Sequence, residues 1–131
     1  MSLFPQARAR LAAADPTSRP VLVVEDDAGL RAYLATILEG QGYTVIAAGS
    51  GEEALAALGG RKAMFAVLDI GLPGMDGFAV AEQLAEDVPV IVVTGDPLKA
   101  KMRAFGRSKP LKILPKPITP EQFEAALQAV L

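Results

Sequence analysis

From Val21 onward, apolar residues arrive in five short runs: VLVV at 21–24, TVIAA at 44–48, MFAVL at 64–68, VIVV at 90–93 and LKIL at 111–114. Between them lie segments of about a dozen residues with apolar positions at helical spacing. Strand and helix alternating in this way predict β-α-β units and a parallel sheet. The three middle runs are almost uninterrupted, as strands buried on both faces require.

The first helix is expected over about 28–41, with Leu30, Leu34, Ile37 and Leu38 on one stripe and Gly42 as its stop. Ser50-Gly51-Glu52-Glu53 has the form of a capping box before Ala54, Leu55 and Leu58. Thr119-Pro120-Glu121-Gln122 supplies a cap, a first-turn proline and an N3 glutamine before Phe123, Leu127 and Leu131. A third helix is expected over about 77–86 and a fourth over about 97–105. Upstream, residues 1–19 form an Ala/Arg-rich stretch, helical at most over about 6–14, and read as an extension or linker. Residues 20–131 then form a single domain.

The chain has 131 residues and neither cysteine, histidine nor tryptophan. Zinc fingers, iron-sulfur sites, thiol nucleophiles and imidazole-based triads are therefore excluded. Chemistry must rest on carboxylates, lysine and hydroxyls. No apolar run approaches the roughly 18–20 residues of a membrane span. The first twenty residues carry three arginines without the apolar core of a signal peptide, so a cytoplasmic location is expected.

In an open parallel α/β sheet, ligands gather outside the carboxyl ends of the strands. Here those ends deliver Glu25, Asp26 and Asp27 after the first run, Asp69 after the third, Thr94 after the fourth and Lys116-Pro117 after the fifth. Taken singly, each has a plain reading: an acidic helix start, a turn residue, a strand-end cap, a surface lysine. Falling together at four strand ends, they describe one pocket. Clustered carboxylates repel unless a cation neutralises them. A set of hard oxygens with room for water suits Mg²⁺. With ammonium opposite and a hydroxyl between, the pocket matches a phosphoryl group carried on a carboxylate, which needs no general base to attack phosphorus.

VLVVEDD at 21–27, LDIGLPGMDG at 68–77, VVTGD at 92–96 and LPKPI at 114–118 together resemble the receiver domain of two-component response regulators. The resemblance spans about Val21 to Leu131. It implies a flavodoxin-like, doubly wound, five-stranded parallel sheet of order 2-1-3-4-5 flanked by five helices. It further implies Asp69 as phosphoacceptor, with Mg²⁺ held by Asp26, Asp69 and the Gly71 carbonyl, and by Glu25 through a water. Thr94 would bond the phosphoryl oxygens, Lys116 would pair with the acyl phosphate, and the Lys116-Pro117 bond would be cis. Asp27 is left as the first helix's cap. The phosphoryl donor would be a phosphohistidine on a sensor histidine kinase or phosphotransfer protein. Such a chain is a signalling module that assists its own phosphorylation and dephosphorylation.

Three positions depart from the family pattern. Ile113 stands where an aromatic residue often couples to the hydroxyl residue, so signal is expected to pass through Thr94 and the loop 95–98. Arg107-Ser108-Lys109-Pro110 replaces the usual glycine-alanine pair. Gly71 offers no side chain to shield a phosphoryl group, whereas Asp96 lies two residues after Thr94.

The net charge of -2 conceals segregation: residues 20–96 hold 12 acidic and 3 basic residues, while residues 97–116 hold 7 basic and no acidic ones. The basic block reads either as a solvated face or as a surface for an acidic protein partner at the fourth helix and fifth strand. It lacks the aromatic interleaving and motif of a nucleic-acid binder. Two other functions compete: a Mg²⁺-dependent phosphatase with an aspartyl nucleophile, which has Gly71 where it needs a second acid, and a docking module without phosphorylation.

Overall fold

The computed structural model describes residues 18–72, 74–104 and 111–130. The expectations for residues 6–14, for Phe105 and 107–110, and for Leu131 lie outside them. Ten elements alternate: β1 (Val21–Val24), α1 (Ala28–Gly40), β2 (Val45–Ala48), α2 (Gly51–Leu58), β3 (Ala66–Asp69), α3 (Gly77–Gln83), β4 (Val90–Thr94), α4 (Pro97–Ala104), β5 (Leu111–Pro115) and α5 (Pro120–Val130). All five strands are parallel, in the order β2-β1-β3-β4-β5. This is the doubly wound, flavodoxin-like arrangement.

Alternation along each strand divides the apolar residues into two layers. Leu22, Val24, Leu68, Val90 and Val92 face α2, α3 and α4, packing on Ala54, Phe78 and Ala100. Val21, Val23, Val67, Ile91 and Val93 face α1 and α5, packing on Leu34, Leu38, Phe123 and Leu127. Every residue of β1, β3 and β4 is buried. Of the three middle apolar runs, those of β3 and β4 are covered on both faces as expected, whereas β2 lies at the sheet edge and leaves Ala47 exposed.

The helix starts follow their caps. Asp27 Oδ1 accepts from the Leu30 N–H at 3.1 Å, and Ser50 Oγ from the Glu53 N–H at 3.2 Å. Thr119 and Gln122 form a reciprocal box, each side chain accepting the other's backbone N–H. Helix α1 stops as expected, with Gly42 at φ 94° donating its N–H to the Glu39 carbonyl.

Helix α3 is shorter than its sequence suggests, closing at Gln83 instead of running to Glu86. Leu84 donates to the Ala81 carbonyl, three residues back, then turns extended at φ -88°, ψ 157°. Its side chain and that of Val88 are both buried in the core. Strand β3 begins at Ala66, two residues after Met64; the Met64 side chain is exposed although its N–H bonds to the Pro20 carbonyl.

Two glycines permit close packing beside the carboxyl edge. A Cβ at Gly77 would lie 2.5 Å from the Asp69 carbonyl oxygen, and one at Gly51 would lie 2.5 Å from Val80 Cγ2. The first turns of α3 and α2 can seat only because these positions have no side chain. No helix among the described residues is long and apolar enough to cross a membrane.

Candidate functional site

The adjacent strands β1 and β3 end side by side, so Glu25 and Asp69 emerge as neighbours. Glu25 is 2% exposed, Thr94 3% and Asp69 6%. Lys116 follows the edge strand β5 and donates its backbone N–H to the Thr94 carbonyl at 2.8 Å, and the Lys116-Pro117 bond that follows is cis. Its side chain reaches back over β4. Lys116 Nζ lies 2.8 Å from Glu25 Oε1 and 3.1 Å from Asp69 Oδ2. The other Asp69 oxygen, Oδ1, accepts the Gly71 N–H at 2.8 Å.

The carboxylates of Glu25, Asp26 and Asp69 offer oxygens all within 4.8 Å of one another. Asp26 is exposed at the mouth, while Glu25 Oε2 is buried without a hydrogen-bond partner among the described residues. Hard oxygen donors, one of them unsatisfied inside the protein, with solvent at the open side, fit Mg²⁺ and its preference for a partly hydrated shell.

Burial, reinforced by the hydrogen bond to Asp69, pushes the Glu25 carboxyl up to about 7. Burial also pushes Asp69 up, but hydrogen bonds from Glu25, the Gly71 N–H and Lys116 outweigh it, so Asp69 is held below the ordinary aspartate range. The lysine responds in kind: burial lowers it, and the two carboxylates more than reverse this. The shared environment thus raises Glu25 and lowers Asp69, so that of the two carboxyls Asp69 is the more readily ionised.

Thr94 stands at the end of β4 with its Oγ1 accepting the Asp96 N–H at 2.9 Å, and no hydrogen bond joins its hydroxyl to the acids. Asp96, which from sequence could either shield the phosphoryl group or position an attacking water, has Oδ1 committed to the Lys99 N–H at the start of α4. Gly71 is exposed, and a Cβ there would meet Asp69 Oδ1 at an ordinary 3.4 Å.

Two arginines near the site were not identified as such from sequence. Arg31 Nη1 donates to the Glu25 carbonyl at 2.8 Å. Its signal was available: it is the single basic residue between positions 20 and 60. Arg103, assigned from sequence to the basic surface block, turns inward to Asp76 Oδ2 at 2.7 Å and lies 4.5 Å from the centroid of the Phe78 ring. No local spacing announces a pair 27 residues apart. Of the block, Lys99 and Lys101 remain exposed on α4 with Leu98 and Met102, which are 68% and 71% exposed, and Lys112 is exposed on the edge strand β5; Arg107 and Lys109 lie outside the described residues.

Comparison with known proteins agrees with this geometry. Residues 21–128 match the model of the response regulator receiver domain. A probable transcriptional regulator, ycf27, of Pyropia yezoensis is 36% identical over 118 residues, covering 85% of this chain and 46% of that protein. The alkaline phosphatase synthesis transcriptional regulatory protein PhoP of Bacillus subtilis is 33% identical over 122 residues, covering 87% of this chain and 49% of that one. Among solved structures, the non-phosphorylated HemR receiver domain of Leptospira biflexa superposes with a TM-score of 0.75 at 30% identity, covering 86% of this chain and 94% of that chain. The chain spans about half the length of the curated relatives it matches.

Proposed function

Because this chain belongs to the response regulator receiver domain family, we propose that Asp69 accepts a phosphoryl group from a phosphohistidine on a sensor histidine kinase or phosphotransfer protein. The observation that carries the reading is the setting of Asp69: buried, 3.1 Å from Lys116 Nζ and within 4.8 Å of two further carboxylates, with its carboxyl held below the ordinary aspartate range.

In the transfer, an Asp69 oxygen forms a bond to phosphorus as the phosphorus–nitrogen bond breaks, and the electron pair returns to the imidazole nitrogen. Asp69 needs no base, being already deprotonated. Lys116 supplies a fixed positive charge to the phosphoryl oxygens, and Thr94 a hydroxyl donor from the neighbouring strand end. Asp26, Asp69 and the Gly71 carbonyl, with Glu25 through a water, would hold Mg²⁺, which when bound neutralises charge on the transferring group. The same groups serve dephosphorylation, so the module assists both directions without being a turnover enzyme.

With Ile113 in place of an aromatic residue, the state of Asp69 is read through Thr94 and the loop 95–98. Supporting this, the Thr94 hydroxyl holds the Asp96 N–H and Asp96 in turn caps α4. The downstream partner is an acidic protein surface at α4 and β5, meeting Lys99 and Lys101 around Leu98 and Met102 and Lys112 on the edge strand. Residues 20–131 form the receiver unit, preceded by an extension.

The test is incubation with Mg²⁺ and acetyl phosphate, followed by intact mass. A gain of one phosphoryl group in the wild type and none in Asp69→Asn is expected. No adduct with any donor overturns the reading.

A further inference from the structure

Outside the acid pocket, the described residues hold one half-buried ion pair that joins two helices on the carboxyl side of the sheet, Arg103 on α4 and Asp76 before α3. We propose that Arg103 is a positioning residue for the phosphoacceptor site, holding the Asp69–Gly71 loop in place through Asp76. This inference rests on the acceptor reading of Asp69.

Asp76 has both oxygens committed. Oδ1 caps α3 by accepting the Ala79 N–H at 2.9 Å, and Oδ2 takes Arg103 Nη1 at 2.7 Å. The next residue, Gly77, packs so closely on the backbone of Asp69 that a Cβ would lie 2.9 Å from the Asp69 carbonyl carbon and 3.1 Å from Ile70 Cα. The first turn of α3 is therefore seated directly on the peptide that carries the acceptor. Gly71, two residues on, both donates to Asp69 Oδ1 and is the residue whose carbonyl belongs to the proposed metal shell.

The loop is also held from α2, where Glu52 Oε1 accepts the Met75 N–H at 3.2 Å. That bond is exposed and fixes only one side. Arg103 fixes the other, and does so with its guanidinium stacked over Phe78, a fully buried residue of α3. A charge-assisted bond to a residue that already caps a helix resists displacement of the whole first turn. Releasing it frees Asp76 and Gly77 to drift from Asp69, and Gly71 with them.

Linkage makes the relation reciprocal: whatever the acceptor site does to this loop is felt by α4, the helix that carries Lys99, Lys101 and Met102. This route is separate from the one through Thr94. It starts from the β3 side of the pocket and enters α4 at its far end.

The experiment compares wild type with Arg103→Met, which retains an apolar stem over Phe78, and with Asp76→Asn, which retains an acceptor for the Ala79 N–H. Amide exchange is followed by NMR in the metal-free proteins, alongside the rate of acetyl phosphate labelling. Gly71 exchange is expected to accelerate about two- to fivefold in both variants, the fold-change matching the usual strength of a part-exposed ion pair. Amides of α1 and α5 stay unchanged, labelling slows, and Arg103→Lys recovers part of both effects. Unaltered Gly71 exchange in both variants, with a labelled wild type, overturns this inference alone. Equal acceleration throughout the chain also overturns it, since that is lost stability and not positioning. A wild type that takes no phosphoryl group overturns the acceptor reading, and this inference with it.

Discussion

Gly77 and Asp69 are in backbone contact so close that no side chain fits between them: a Cβ on Gly77 would stand 2.5 Å from the Asp69 carbonyl oxygen. The obstacle is backbone, not a side chain that can swing away. Gly77→Ala is therefore expected to destabilise the protein by about 2 kcal/mol, the usual cost of forcing extra volume into a packed site. Labelling of Asp69 should fall further than stability does. Urea unfolding and acetyl phosphate labelling check the two parts, and an unchanged midpoint would show that α3 can retreat freely.

Lys116 is the only cation bonded to Glu25 and Asp69 side chains among the described residues. Lys116→Met leaves two buried carboxylates without their partner, at a cost of about 1–3 kcal/mol once the lysine's partial exposure is allowed for. It also removes a competitor for metal. Mg²⁺ should then raise the thermal midpoint of the variant more than that of the wild type. Equal shifts would mean that Lys116 and the metal do not share the same oxygens.

At Asp76, burial raises the carboxyl, but Arg103 and the Ala79 N–H more than offset this and hold it below the ordinary aspartate range. The folded state thus favours the ionised form. Its contribution is complete above the ordinary aspartate range and is lost as pH falls through the depressed folded value. The stability gap between wild type and Asp76→Asn in urea should be widest near neutrality and narrow as the pH falls through the depressed folded value. A gap that widens on acidification would reverse the sign and reject the pair as its source.

Gly71 is exposed and has ordinary room for a Cβ beside Asp69 Oδ1. Gly71→Asn should fold normally and cover the open side of the acyl phosphate, lengthening its lifetime severalfold. Loss of phosphate from pre-labelled protein measures this directly. Equal decay rates in the two proteins would show that position 71 leaves hydrolysis untouched.

Much of this was legible in the sequence because strand periodicity and the chemistry of strand ends are local signals. VLVV, VIVV and the residues that follow them located β1, β4 and the pocket, and the caps at Asp27, Ser50 and Thr119 began their helices where the residue types demand. The end of α3 was not legible, since Leu84 and Val88 are apolar at a spacing that a helix would also satisfy, and only the structure shows Leu84 extended. Arg103 was misassigned for a related reason. A lysine-rich helix gives no sign that one member of its positive face turns inward, because its partner Asp76 is distant in sequence and adjacent only after folding.

The strand β1 presents four apolar residues in succession, two to each layer. Sliding it by one residue would exchange the layers yet still bury Val and Leu on both sides, so hydrophobicity discriminates poorly between alignments. The charged pocket supplies the discrimination. Only the native alignment, with Leu22 beside Ala66 and Val24 beside Leu68, delivers Glu25 to Lys116; a slipped one strands a carboxylate in the interior or leaves the lysine unmatched. The residues of the charged pocket thus mark one register of β1 apart from its neighbours, and removing them should permit misaligned, slowly correcting sheets even where the final stability is little changed.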